Sequence, residues 1–145
     1  MKINFYQSED TLHKSIASLL IKILENNKRA LIYCQNHSII KQIDDGLWNY
    51  SKTKFLPHAS ILEKCDPSKQ PVFITDKEEN ENQAHFLIKL DQSSDALVKS
   101  FEKTFYFFDN HNLAQARKLW VYYKQQTENL EFYKKLDNKW TKVQI

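Results

Sequence analysis

Short apolar runs of strand length alternate with stretches of helical period along almost the whole chain, and no other feature restricts the fold as much. Lys2 to Tyr6 reads as an opening strand, followed by polar residues suited to a helix start. Leu12, Ile16, Leu19, Leu20, Ile23 and Leu24 then recur at three- and four-residue steps, closed by Asn26, Asn27 and Lys28. Ala30 to Cys34 is a continuous apolar run, as expected for a strand covered on both faces, and Asn36 or Ser38 offers a cap to a helix carrying Ile39, Ile40, Ile43, Leu47 and Trp48. Val72 to Thr75, His85 to Leu90 and Thr104 to Phe108 continue the strands. A short helix from Ser94 or Asp95 to Phe101 and a last helix from Asp109 or Asn110 to about Gln126 continue the helices. Such an order predicts an α/β domain with a mostly parallel sheet flanked by helices, because parallel neighbours need helical crossovers.

The segment 49–70 is polar and irregular, with an apolar island at Phe55 and Leu56. Residues 130–145 read as a small terminal hairpin packed on one domain spanning 1–145.

Composition narrows the function. Gly46 is the sole glycine, so neither a phosphate-cradling loop nor a dinucleotide fingerprint can be built, and no cofactor is expected. Lys and Arg number 21 against 18 Asp and Glu, a net charge of +3 that does not fit a protein whose main partner is nucleic acid. Apolar stretches such as 18–24 and 105–108 fall far short of the ~18 to 20 residues of a membrane span. The start of the chain meets Glu9 and Asp10 without a secretory apolar run, so a cytoplasmic location is expected. Cys34 and Cys65 lack the spacing of a zinc site or disulfide framework, and Cys34 is expected in the core.

Catalytic candidates are thin. The histidines at 13, 37, 58, 85 and 111 have no metal-ligand spacing, and no nucleophile elbow or triad can be proposed. Asp76, at the carboxyl end of a strand, and His58, in the irregular segment, are the residues on which a competing reading rests, that of a small metal-dependent nuclease or hydrolase.

The last helix has a second side that packing alone does not explain. At roughly 100° per residue, Ala116, Leu119 and Tyr123 form a core stripe, while Arg117, Val121 and Lys124 lie on the adjoining side with Trp120 at the seam. A tryptophan flanked by Arg and Lys suits an acidic peptide with a bulky apolar end. The plainer alternative is a core tryptophan beside solvated cations. Trp48 likewise projects about a quarter turn from its helix's core stripe.

Asn4-Phe5-Tyr6, the strand Arg29 to Cys34, Leu47-Trp48 followed by Phe55-Leu56-Pro57-His58, Ala116-Arg117 and Trp120 to Lys124 together resemble the chi-subunit family of bacterial DNA polymerase III. The resemblance implies a Rossmann-like fold without nucleotide binding or catalysis. It also implies an adaptor that binds the acidic C-terminal tail of single-stranded DNA-binding protein (SSB) and joins it to the clamp loader, usually through the psi subunit, with DNA reached only indirectly. By the same resemblance Arg117 matches the tail-binding arginine, Trp120 and Tyr123 the helix aromatics, and Trp48 a tryptophan across the pocket. Local charge and the stripe add Lys118, Lys124 and Val121. Phe55, Leu56, Pro57 and His58 match the psi-facing segment. Where some relatives carry a lysine one turn before the arginine, this chain has Leu113.

Overall fold

The computed structural model describes residues 1–8, 12–50, 56–136 and 139–144. Its strands are β1 (Ile3–Gln7), β2 (Ala30–Tyr33), β3 (Ala59–Ser60), β4 (Val72–Thr75), β5 (Phe86–Lys89), β6 (Lys103–Phe108), β7 (Leu130–Leu136) and β8 (Lys139–Val143). The helices are α1 (Leu12–Glu25), α2 (His37–Trp48), α3 (Asp95–Lys99) and α4 (Leu113–Lys124). All eight strands join one sheet in the order β3-β4-β2-β5-β6-β1-β7-β8, and only the β7–β8 pair is antiparallel. This is an α/β, Rossmann-like sheet with helices on both faces.

Side chains alternate along each strand, so the sheet divides the apolar residues into two cores. On one face Ala30, Ile32, Ile74, Ile88, Phe105 and Phe107 pack under Ile16 and Leu20 of α1 and Ile40, Ile43 and Leu47 of α2. On the other Phe5, Leu31, Phe73, Leu87, Tyr106 and Phe108 pack under Leu97 and Val98 of α3 and Ala116, Leu119 and Tyr123 of α4. The continuous apolar character of β2 and β4 follows, since every residue of both strands is buried.

Local chemistry sets the element ends. Asn36 caps α2, its Oδ1 accepting from the amides of Ser38 at 2.8 Å and Ile39 at 3.3 Å, and Ser94 Oγ accepts from Leu97 N at 3.2 Å to cap α3. Asp109 caps a single 3-10 turn, Asn110–Asn112, so the last α-helix begins at Leu113, later than its sequence pattern predicts. Gly46 answers a steric demand. A Cβ there would lie 2.4 Å from His13 Cγ, so α1 and α2 meet closely because this position has no side chain.

Two details of the irregular segment and the chain's end come from the structure alone. The strand in the irregular segment is Ala59–Ser60, a two-residue edge strand, and Phe55 lies outside the described residues. The terminal hairpin is present, and it joins the sheet itself. β7 pairs in parallel with β1, setting Phe132 beside Phe5, and β8 becomes the sheet's edge.

Candidate functional site

At the carboxyl ends of β1 and β6, where open α/β sheets commonly hold ligands, α4 leans over the sheet and leaves a pocket of about 460 Å³. Phe108, Gln7 and Phe132, from β6, β1 and β7, form its floor, and Leu113, Ala116, Arg117, Trp120 and Val121 of α4 form its wall. The helical spacing that suggested a second side of α4 thus produces a real surface. Trp120 is half-buried and held edge-on by Phe5 (centroids 5.3 Å apart, 87°) and Phe132 (5.8 Å, 83°), which fixes the ring by packing. Val121 is 59% exposed, an apolar rim left to solvent. Arg117 is exposed, and among the described residues no carboxylate pairs with it. An unsatisfied guanidinium at the lip of an aromatic pocket is suited to a carboxylate attached to an apolar group.

The other residues singled out from the sequence fall elsewhere. Tyr123 is 1% exposed, and its hydroxyl accepts a hydrogen bond from Lys89 Nζ at 2.9 Å, so it supports α4 from inside. Lys118 lines a different and more polar pocket between α3 and α4, with Ser93, Asp95 and Tyr122, where Asp95 opposes an anionic ligand. Lys124 is exposed in the last turn of α4, one turn beyond Trp120 on the same side. Trp48 does not stand across the pocket from Arg117. It belongs to α2, on the opposite face of the sheet, where its half-exposed ring lies 4.4 Å from that of His58.

In the segment 56–58, Leu56 and His58 are buried and Pro57 is half-buried. His58 Nδ1 faces Leu56 O at 2.6 Å, and Nε2 faces Asp44 O at 3.1 Å and Asp44 Oδ1 at 2.8 Å, so the imidazole ties this segment to α2. Glu63 nearby is held above the usual carboxylate range by burial and then by Asp44. Asp76 bonds His37 Nε2 at 2.7 Å instead. The β3–β4 register aligns Ala59 with Phe73, so His58 stands level with Val72, four residues or about 13 Å of strand from Asp76. The structure does not bring Asp76 and His58 into one site. Among the described residues, no cluster of three or more His, Cys, Asp or Glu could hold a metal ion.

Sequence reasoning missed Gln7, Phe108, Leu113, Ala116 and Phe132 as pocket residues. Phe132 gives no local signal, since its place beside Phe5 depends on a strand pairing across most of the chain. Cys34, as expected, is in the core, and burial pushes its thiol up to about 12.

An open, mostly parallel sheet with an aromatic, arginine-bordered pocket at its carboxyl edge defines a Rossmann-like domain with a candidate binding site. Residues 1–131 match the family described as DNA polymerase III chi subunit, HolC, and the chain belongs to that family. It is also similar to a protein of Rickettsia prowazekii (strain Madrid E) named probable DNA polymerase III subunit chi, with 30% identity over 104 residues. That match covers 70% of this chain and 62% of the relative's length. No helix among the described residues is long and apolar enough to cross a membrane.

Proposed function

We propose that this chain is a non-catalytic adaptor of the bacterial replicative polymerase, holding the acidic C-terminal tail of SSB in the pocket between α4 and β7 and linking it to the clamp loader. The observation that carries the reading is the unpaired guanidinium of Arg117 beside the fixed ring of Trp120. A tail of aspartates that ends in phenylalanine has an aromatic ring to bury and a terminal carboxylate to neutralise. Membership in the chi family supports the same partner.

Fluorescence anisotropy of a labelled acidic peptide ending in phenylalanine tests it directly. The protein is expected to bind this peptide and not a control lacking the phenylalanine. Arg117→Ala is expected to lose about 1 to 3 kcal/mol of binding, as removal of a charge-assisted bond does. Equal affinity of wild type and variant would remove Arg117 from the site.

A second surface, for the psi subunit or the clamp loader itself, is proposed on the other face of the sheet. Its support is Trp48, 47% exposed over the buried His58, with Pro57 half-buried in the adjoining segment. In this reading Leu56 and His58 hold the surface from within, and Phe55 lies outside the described residues.

A further inference from the structure

The family match ends at residue 131, and most of the β7–β8 hairpin lies beyond it. Strand registers fix which hairpin side chains share the pocket's side of the sheet. Gln7 is aligned with Phe108 of β6 and with Lys134 of β7, and Lys134 with Thr141 of β8. Residues aligned this way project to the same face, and Gln7 and Phe108 both line the pocket. Lys134 therefore stands one strand, about 5 Å, from Gln7 and on the pocket's side of the sheet. Phe132, two residues earlier on that face, is part of the floor itself.

Charge divides along the same line. Glu131, Tyr133 and Lys142 share the opposite face of the hairpin, where Lys142 Nζ lies 3.7 Å from Glu131 and the Tyr133 hydroxyl bonds the same carboxylate. Lys134 is half-buried and has no ion pair among the described residues. At the far flank of α4 the surroundings are acidic, since Asp95 accepts from Tyr122 OH and Glu78 Oε1 accepts from Ser94 N at 2.7 Å.

We infer that the hairpin is the second half of the binding site. The acidic residues preceding the terminal ring leave the pocket across β7 and β8 over Lys134, and do not run along the α3 flank past Lys118. This inference rests on the tail-binding reading above and adds to it the direction of the peptide and the residue that reads its charge. Attraction to Lys134 and repulsion from Asp95 and Glu78 act in the same sense.

The test uses the full chain and two labelled short peptides ending in phenylalanine, one rich in aspartate and one with asparagine in place of each aspartate. At physiological salt, Lys134→Glu is expected to weaken the aspartate peptide about five- to tenfold and Lys134→Gln about two- to threefold, both leaving the asparagine peptide unchanged. Lys118→Glu is expected to change either peptide by less than about twofold, screening being strong at that range. Retained binding of the asparagine peptide also reports that each variant is folded. Loss of both peptides to the same extent in both Lys134 variants would overturn the inference, because it would mean a packing role. So would a larger loss in Lys118→Glu. If Arg117→Ala abolishes binding while both Lys134 variants keep full affinity, the hairpin inference is overturned and the pocket reading stands. If the wild type binds neither peptide, both are overturned.

Discussion

Lys89 has no exposed surface, yet among the described residues its ammonium bonds no carboxylate. Nζ donates to Ser93 Oγ at 2.8 Å and Tyr123 OH at 2.9 Å and lies over the Tyr123 ring at 5.3 Å. Burial pushes its pKa down to about 8, against the raising influence of Asp95, Glu78 and Asp91. A lysine depressed in the folded state and ordinary in the unfolded one destabilises the fold below about 8. That penalty is relieved as the pH rises toward the ordinary lysine value of about 10.5. Cys34 and the buried tyrosines shift the other way and lower stability at high pH, so the lysine's share is isolated by comparison with a variant. Lys89→Met is expected to be more stable than wild type at pH 7 by roughly 1 kcal/mol, as apolar replacements of buried charge often are. Urea unfolding across pH should show that advantage shrinking between about pH 8 and 10. A constant difference would mean that Lys89 is not the group that titrates.

At the scale of elements, the hairpin decides how the sheet ends. Trp140 of β8 packs edge-on against Tyr6 (5.0 Å) and near Phe107 (6.3 Å), and Tyr6 stacks on Tyr133 at 5.1 Å. Those contacts cover β1 and β6 on the face of α1 and α2, so Trp140→Ala should destabilise the domain by about 2 to 3 kcal/mol with an unchanged urea slope. A loss below about 0.5 kcal/mol would show that β8 adds nothing to the cooperative unit. The same element marks where sequence reading stops. β2, β4 and β6 were legible because strands covered on both faces are apolar without interruption. The antiparallel pairing of β7 with β8 was legible as a hairpin because it is local. The parallel pairing of β7 with β1 was not, because it joins residues from the two ends of the chain. The helix-wheel argument set Arg117, Val121 and Lys124 on one side of α4 with Trp120 at the seam, and the structure gathers Arg117, Trp120 and Val121 on one pocket while Lys124 lies outside it. The family resemblance places Trp48 across that pocket, and a wheel, which says nothing about which face of the sheet a helix covers, could not show that the sheet separates the two. Tyr123 shows the same limit at closer range, since its core register was legible and the lysine beneath its hydroxyl was not.

For the whole molecule, that separation has a functional consequence. α1 and α2 occupy one face of the sheet and α3 and α4 the other, with fully buried β2 and β4 among the strands between them. In the proposed adaptor reading two partners held at once need surfaces that do not compete, and the sheet lies between the α4–β7 pocket and the surface over Trp48. Interior packing transmits strain only where contacts are continuous, and neither Arg117 nor Trp48 is among the residues that form the two cores. Trp48→Ala is therefore expected to leave affinity for the acidic peptide within about twofold, while Arg117→Ala weakens it, and the double variant should equal the sum of the single effects to within about 0.5 kcal/mol. Anisotropy titrations of the three variants against the same labelled peptide measure this. A Trp48 effect on the peptide comparable to that of Arg117 would mean that the two faces are coupled or that one ligand spans them, and the division of labour between α2 and α4 would fail with it.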